Sequence, residues 1–212
     1  MAIQNGAAVP RIYVTDTNIK KELLQKLIET LPSKRAALAA RLASPEASVL
    51  GFCLVRYALY AETGRVFNDD WQIADGGKPY LEGAPCFNLS HTAHGVAVAV
   101  FKDEIGIDIE QVRAHHPRLA ERICSDAERE ILLTSDDPTA MLIQIWSAKE
   151  AKGKCLGTGL ENPKSISLAG TASTPLSIGG VPHVLSLSPA TEIPSISRVT
   201  PEQILLLKGK LS

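Results

Sequence analysis

Apolar residues recur at Ile19, Leu23, Leu24, Leu27, Ile28 and Leu31 across residues 17–31, a three-and-four spacing that predicts a helix with one buried face. Before it, residues 11–15 (RIYVT) read as a first strand. Residues 44–64 are apolar almost without interruption, which predicts the most buried helix of the N-terminal half. Ser44 is its expected N-cap, Pro45 its first helical position and Gly64 its stop. From Trp71 the pattern shortens to strands and turns: an Asp-Gly-Gly turn before Lys78, then strands over 86–90, 95–102 and 105–111. The last two are expected to pair as a hairpin across Asp103 and Glu104, although that dipeptide is not a favoured primed-turn pair. Helical patterns return over 116–124, 125–134 and 138–157. They are followed by short candidate strands at 165–169, 183–188 and 195–199 and a closing helix over 201–210. Helices and hairpins without regular βαβ alternation argue for an α+β fold.

The chain has 212 residues, enough for one large domain or two small joined lobes. Its net charge of −1, from 22 basic and 23 acidic residues, provides no global field toward nucleic acid or an anionic membrane. Anion binding must therefore be local. Cys53, Cys86, Cys124 and Cys155 stand singly, as reduced thiols would rather than a disulfide or zinc framework. The first residues lack a basic segment followed by an apolar one, and no apolar run reaches membrane-spanning length. A soluble, cytoplasmic protein is expected, with no nucleic-acid or membrane partner.

The strand at 105–111 (IGIDIEQ) alternates. Ile105, Ile107 and Ile109 face one way; Gly106, Asp108 and Glu110 face the other. The two carboxylates are spaced by roughly 6.6 Å along the strand, within reach of one ion. Gly106 is expected to leave room for a ligand against the backbone. Oxygen ligands without His or thiolate suit Mg²⁺; a solvated acidic edge is the plainer alternative. Glu150 and Lys154, at i and i+4 with Trp146 one turn back, add a third carboxylate on a helix, with Lys149 about 100° round. They also suit an ordinary surface ion pair. Ser125 and Glu128 fit a capping box, which accounts for both residues without catalysis. Ser90 and His91 end a strand and could hold a phosphate or be satisfied polar residues. Lys78 is an anion contact or a turn lysine.

In this order and with these spacings, GGKPY, FNLSH, IGIDIE, SDAERE and WSAKEAKGKCLGTGL resemble the 4′-phosphopantetheinyl transferases, in the larger two-lobed form that activates synthetases. The resemblance is clearest between Lys78 and Leu160. It implies two pseudo-symmetric α+β lobes, with residues 1–103 on the coenzyme A nucleotide side and 104–212 carrying the metal ligands and catalytic helix. It implies that Asp108, Glu110 and Glu150 hold Mg²⁺, and that Glu150, Lys154 and Glu128 are catalytic. Lys34, Lys78, Ser90, His91, Lys149 and Lys154 would contact coenzyme A. The implied reaction transfers 4′-phosphopantetheine from coenzyme A to a serine of an apo acyl or peptidyl carrier protein, releasing 3′,5′-ADP. A monomer is implied, since both lobes lie in one chain. The chain departs from the family pattern at Cys124, where an aromatic is usual, and in its basic residues, which stop at Lys34, Arg35 and Arg41 before Ala47 and Ser48. A Mg²⁺-dependent nucleotide or coenzyme A phosphohydrolase and a non-catalytic carrier-binding module are the rival readings.

Overall fold

The computed structural model describes residues 9–115 and 118–207. The leader reading, the first turn of the helix expected from His116, and the end of the helix expected to reach Lys210 fall outside them. The N-terminal half runs β1 (Arg11–Asp16), α1 (Lys21–Ile28), α2 (Ser33–Ala39), α3 (Glu46–Thr63), a small hairpin of β2 (Gln72–Ile73) and β3 (Pro79–Tyr80), β4 (Cys86–His91) and β5 (Gly95–Phe101). The second half runs β6 (Gly106–Gln111), α4 (Arg118–Ile123), α5 (Asp126–Thr134), α6 (Pro138–Leu156), β7 (Ala172–Ile178), β8 (Val181–Ser188), β9 (Ile196–Arg198) and α7 (Pro201–Leu206). This is the mixed α+β class.

The strands form a sheet ordered β4-β5-β1-β9 and a second ordered β6-β8-β7. Alternation along β1 and β5 serves two cores at once. Tyr13, Val96, Val98 and Val100 pack with Leu50, Leu54 and Leu59 of α3, whereas Ile12, Val14, Ala97 and Ala99 face the other sheet. There they meet Ile105, Ile107 and Ile109, with Leu185 and Leu187 of β8. The isoleucine face thus fills the space between sheets, and the opposite face of β6 turns toward α6. β9 lies parallel to β1, and Val199 and Ile204 are buried with Leu24 and Leu27 of α1. Residues 196–206 therefore return to the first sheet and its helices.

The expected hairpin at Asp103–Glu104 does not form. β5 pairs with β1 and β4, and β6 pairs with β8, so the chain crosses between sheets at that turn. Burying both Ala97/Ala99 and the isoleucines in one core requires the two strands to be stacked rather than laddered. The strand expected at 165–169 is a 3₁₀ turn at Pro163–Ser165 and irregular chain; the strand lies further on, in β7, whose polar edge carries little hydrophobic signal. α3 begins without a side-chain cap from Ser44, and Gly64 ends it with φ of 66°. Among the described residues, no helix is long and apolar enough to cross a membrane.

Candidate active site

β4 repeats the design of β6: Phe87 and Leu89 serve the first core while Cys86, Asn88 and Ser90 point the other way. The two polar faces meet. Asn88 Oδ1 accepts from Ile107 N at 3.0 Å, and the Ser90 hydroxyl donates to Asp108 Oδ1 at 2.8 Å. Lys154 donates to the same Oδ1 at 2.7 Å and lies 3.4 Å from Ile107 O. The free edge of β6 is thus satisfied by side chains from β4 and α6 instead of another strand. Asp108 Oδ2 is buried and has no partner.

Helix α6 approaches β6 closely at one end. A Cβ on Gly106 would sit 2.0 Å from Ala151 O and 2.4 Å from Cys155 N. This glycine makes room for a helix, not for a ligand as its position beside the carboxylates suggested. The contact fixes the level at which α6 presents Glu150 and Lys154 to Asp108. One turn before Glu150, Trp146 Nε1 donates to Glu110 Oε1 at 3.0 Å.

The three carboxylates act on each other. Burial raises the Glu150 carboxyl above its usual range; Asp108 and then Glu110 add to the rise, and Lys154 opposes it. Glu110 is raised by burial and by Asp108, against the Trp146 hydrogen bond, Lys154 and Arg113. His91, at the exposed end of β4, is lowered by burial and by the Lys154 charge. Among the described residues, no group of three or more His, Cys, Asp or Glu side chains is arranged to hold a metal ion.

Other expected site residues are engaged elsewhere. The Lys149 side chain is 0% exposed and points away from Asp108: its ammonium pairs with Glu128 at 2.8 Å and donates to Ile123 O and Pro163 O. Glu128 closes the capping box with Ser125 while receiving that lysine. Lys78 pairs with Glu104. Lys34 is exposed on α2 and lines a cleft of about 450 Å³ with Arg35 and Arg41; Arg35 bonds Asp70 at 2.7 Å and stacks over Trp71. Arg56 is buried, bonded to Phe67 O, Thr30 O and Asn68 Oδ1. Sequence reasoning overlooked Asn88 and Glu104. The period-two polar face of 86–90 could have revealed Asn88; nothing local marks Glu104.

Residues 104–191, which carry Asp108, Glu110, Glu128, Glu150 and Lys154, match the model of the 4′-phosphopantetheinyl transferase superfamily. The chain is 30% identical over 152 residues to 4′-phosphopantetheinyl transferase psf-1 of Bacillus pumilus, an alignment covering 68% of this chain and 65% of that protein. It is 34% identical over 122 residues to 4′-phosphopantetheinyl transferase ffp of Bacillus subtilis, covering 55% and 54%. Over 52 residues it is 46% identical to a holo-[acyl-carrier-protein] synthase of Azoarcus sp. (strain BH72), covering 24% and 42%. The chain thus spans less than two thirds of the length of each. Two polar strand faces joined at Asp108, with α6 seated on Gly106, lie in a chain that is similar to the 4′-phosphopantetheinyl transferase superfamily over the residues that build this site.

Proposed function

We propose that the protein transfers the 4′-phosphopantetheine group of coenzyme A to a serine hydroxyl of an apo acyl or peptidyl carrier protein, releasing 3′,5′-ADP. The observation that carries this reading is the convergence of Ser90, Asp108 and Lys154 beside Glu110 and Glu150, where one lysine stands among three mutually repelling carboxylates. That excess negative charge and the unpartnered Asp108 Oδ2 fit a hard divalent cation. Asp108, Glu110 and Glu150 would hold Mg²⁺, whose role is to neutralise the pyrophosphate and favour in-line displacement.

The protein's own groups account for the rest. Glu150 accepts the proton of the attacking serine, directly or through a water. Lys154 stabilises the departing phosphate through a charge-assisted hydrogen bond. Lys34, Lys78, Ser90 and His91 line the coenzyme A side. Glu128 and Lys149 act by holding α5 against α6, which fixes where Glu150 stands.

The division into residues 1–103 and 104–212 belongs to the same proposal. Each half runs strand, three helices and two strands, leaving the small β2–β3 hairpin aside. The strand orders β4-β5-β1 and β7-β8-β6 correspond, which supports two pseudo-symmetric lobes in one monomeric chain. Residues 196–206 would strap the second lobe to the first. Chromatographic measurement of 3′,5′-ADP release tests the activity. Release that requires an apo carrier supports transfer; release from coenzyme A without a carrier points to the phosphohydrolase reading.

A further inference from the structure

The Lys78–Glu104 pair joins two very different partners. The Lys78 side chain is 15% exposed, and that of Glu104 is 66% exposed. The lysine is enclosed by its surroundings while the carboxylate approaches it from solvent, the direction from which a dissolved anion would arrive. Lys78 is also fixed in place. The β2–β3 turn before it is closed by Ala74 N donating to Lys78 O at 2.9 Å. Its tip packs so tightly on the end of α6 that a Cβ on Gly76 would lie 2.9 Å from Gly157 O. Glu104 sits at the chain's crossing between sheets. Its backbone oxygen is 3.7 Å from the Cys155 thiol, one residue past Lys154, and its Oε1 is 3.9 Å from the Cys86 thiol.

We propose that Glu104 is a positioning residue that sets co-substrate affinity: its carboxylate takes the anion position at Lys78 that an adenosine phosphate group must occupy. This rests on the reading of Lys78 as a contact for the coenzyme A nucleotide. The contest is one of charge. With its carboxylate facing solvent the pair is a weak one, so a phosphate carrying two negative charges displaces a carboxylate carrying one. Glu104 thus keeps Lys78 neutralised and in register until a sufficiently charged nucleotide arrives, and it weakens binding of every nucleotide by the cost of its own removal.

Calorimetric binding of coenzyme A and of 3′,5′-ADP to the wild-type chain, Glu104→Gln, Lys78→Gln and the double variant tests this. Glu104→Gln should bind both ligands several-fold tighter, up to about tenfold at low salt, with the gain shrinking as salt rises. In steady state the same variant should lower KM for coenzyme A and leave kcat unchanged, a split that a structural role would not produce. The double variant should bind no tighter than Lys78→Gln alone. Unchanged or weaker binding by Glu104→Gln overturns the inference. A gain that persists without Lys78 also overturns it, because the effect would then be one of general charge. If the wild-type chain binds neither ligand, the functional reading fails first and takes this inference with it.

Discussion

Asp108 Oδ1 accepts from the Ser90 hydroxyl and the Lys154 ammonium while Oδ2, also buried, is left without a donor. An amide would keep its carbonyl oxygen for those two donors, lose the charge that pairs with Lys154, and place a buried NH₂ at the Oδ2 position with no acceptor. Asp108→Asn should therefore cost about 1–3 kcal/mol in urea unfolding, the range for an unsatisfied buried polar contact, and abolish transfer. Glu150 behaves in the opposite sense. Its folded pKa is raised, so its charged form opposes folding at neutral pH, and the penalty is relieved as pH falls through that raised value. Glu150→Gln should raise Tm at neutral pH while eliminating transfer, the pattern of a residue kept for chemistry at the expense of stability. Lys149 differs again: removing it leaves Glu128 buried and uncompensated. Lys149→Met should lower stability by about 3–5 kcal/mol, measured by chemical denaturation, without altering Mg²⁺ dependence in the fraction that folds.

At the scale of elements, the close fit of α6 against β6 decides where the chemistry sits. Gly106→Ala would drive a methyl into the Ala151 carbonyl. It should cost about 3 kcal/mol or more in a thermal or urea unfolding series, at the upper end of overpacking effects. The isoleucine alternation of β6 and the first helix were legible because each carries its own period, and the helix at 44–64 because of its length, apolar content and terminal residues. The capping box at Ser125 and Glu128 was legible because both halves of the device lie within four residues. Strand partners were not legible. Whether β6 ladders with β5 or stacks on it depends on Ala97 and Ala99, which a local pattern treats as ordinary strand residues. Gly106 shows the same limit, since a glycine that admits a ligand and one that admits a helix look identical in sequence. Lys149, three residues after Trp146, could be placed on the helix but not turned toward Glu128 without knowing where α5 lies.

For the whole molecule, the junction of the two sheets includes a second, polar contact far along the chain from Asp108. His183 is buried at the start of β8; its Nδ1–H donates to Val181 O at 2.8 Å, which leaves Nε2 to accept from the Thr92 hydroxyl at 3.0 Å. Thr92 lies in the β4–β5 turn, and His94 of that turn packs edge-on against the His183 ring. Burial lowers the His183 pKa below its ordinary 6.5, with the Val181 hydrogen bond opposing and His94 adding to the fall. The unfolded chain therefore binds the proton first. The stabilisation is complete above about pH 6.5 and is lost as pH falls toward the lowered folded value. The Tm advantage of the wild type over His183→Gln should narrow between about pH 7 and about pH 5, as read by differential scanning calorimetry. A gap that stays constant would show that the imidazole does not titrate in folding.

Every role assigned to the site residues depends on the transfer reaction. Intact-mass spectrometry of an apo carrier protein incubated with coenzyme A, Mg²⁺ and this protein tests it most directly. The predicted result is a gain of one phosphopantetheinyl group on the carrier serine. The gain should vanish with a Ser→Ala carrier, with chelator and with Asp108→Ala. An unmodified carrier across fatty-acid and peptidyl types, from a folded protein that binds coenzyme A, would contradict it.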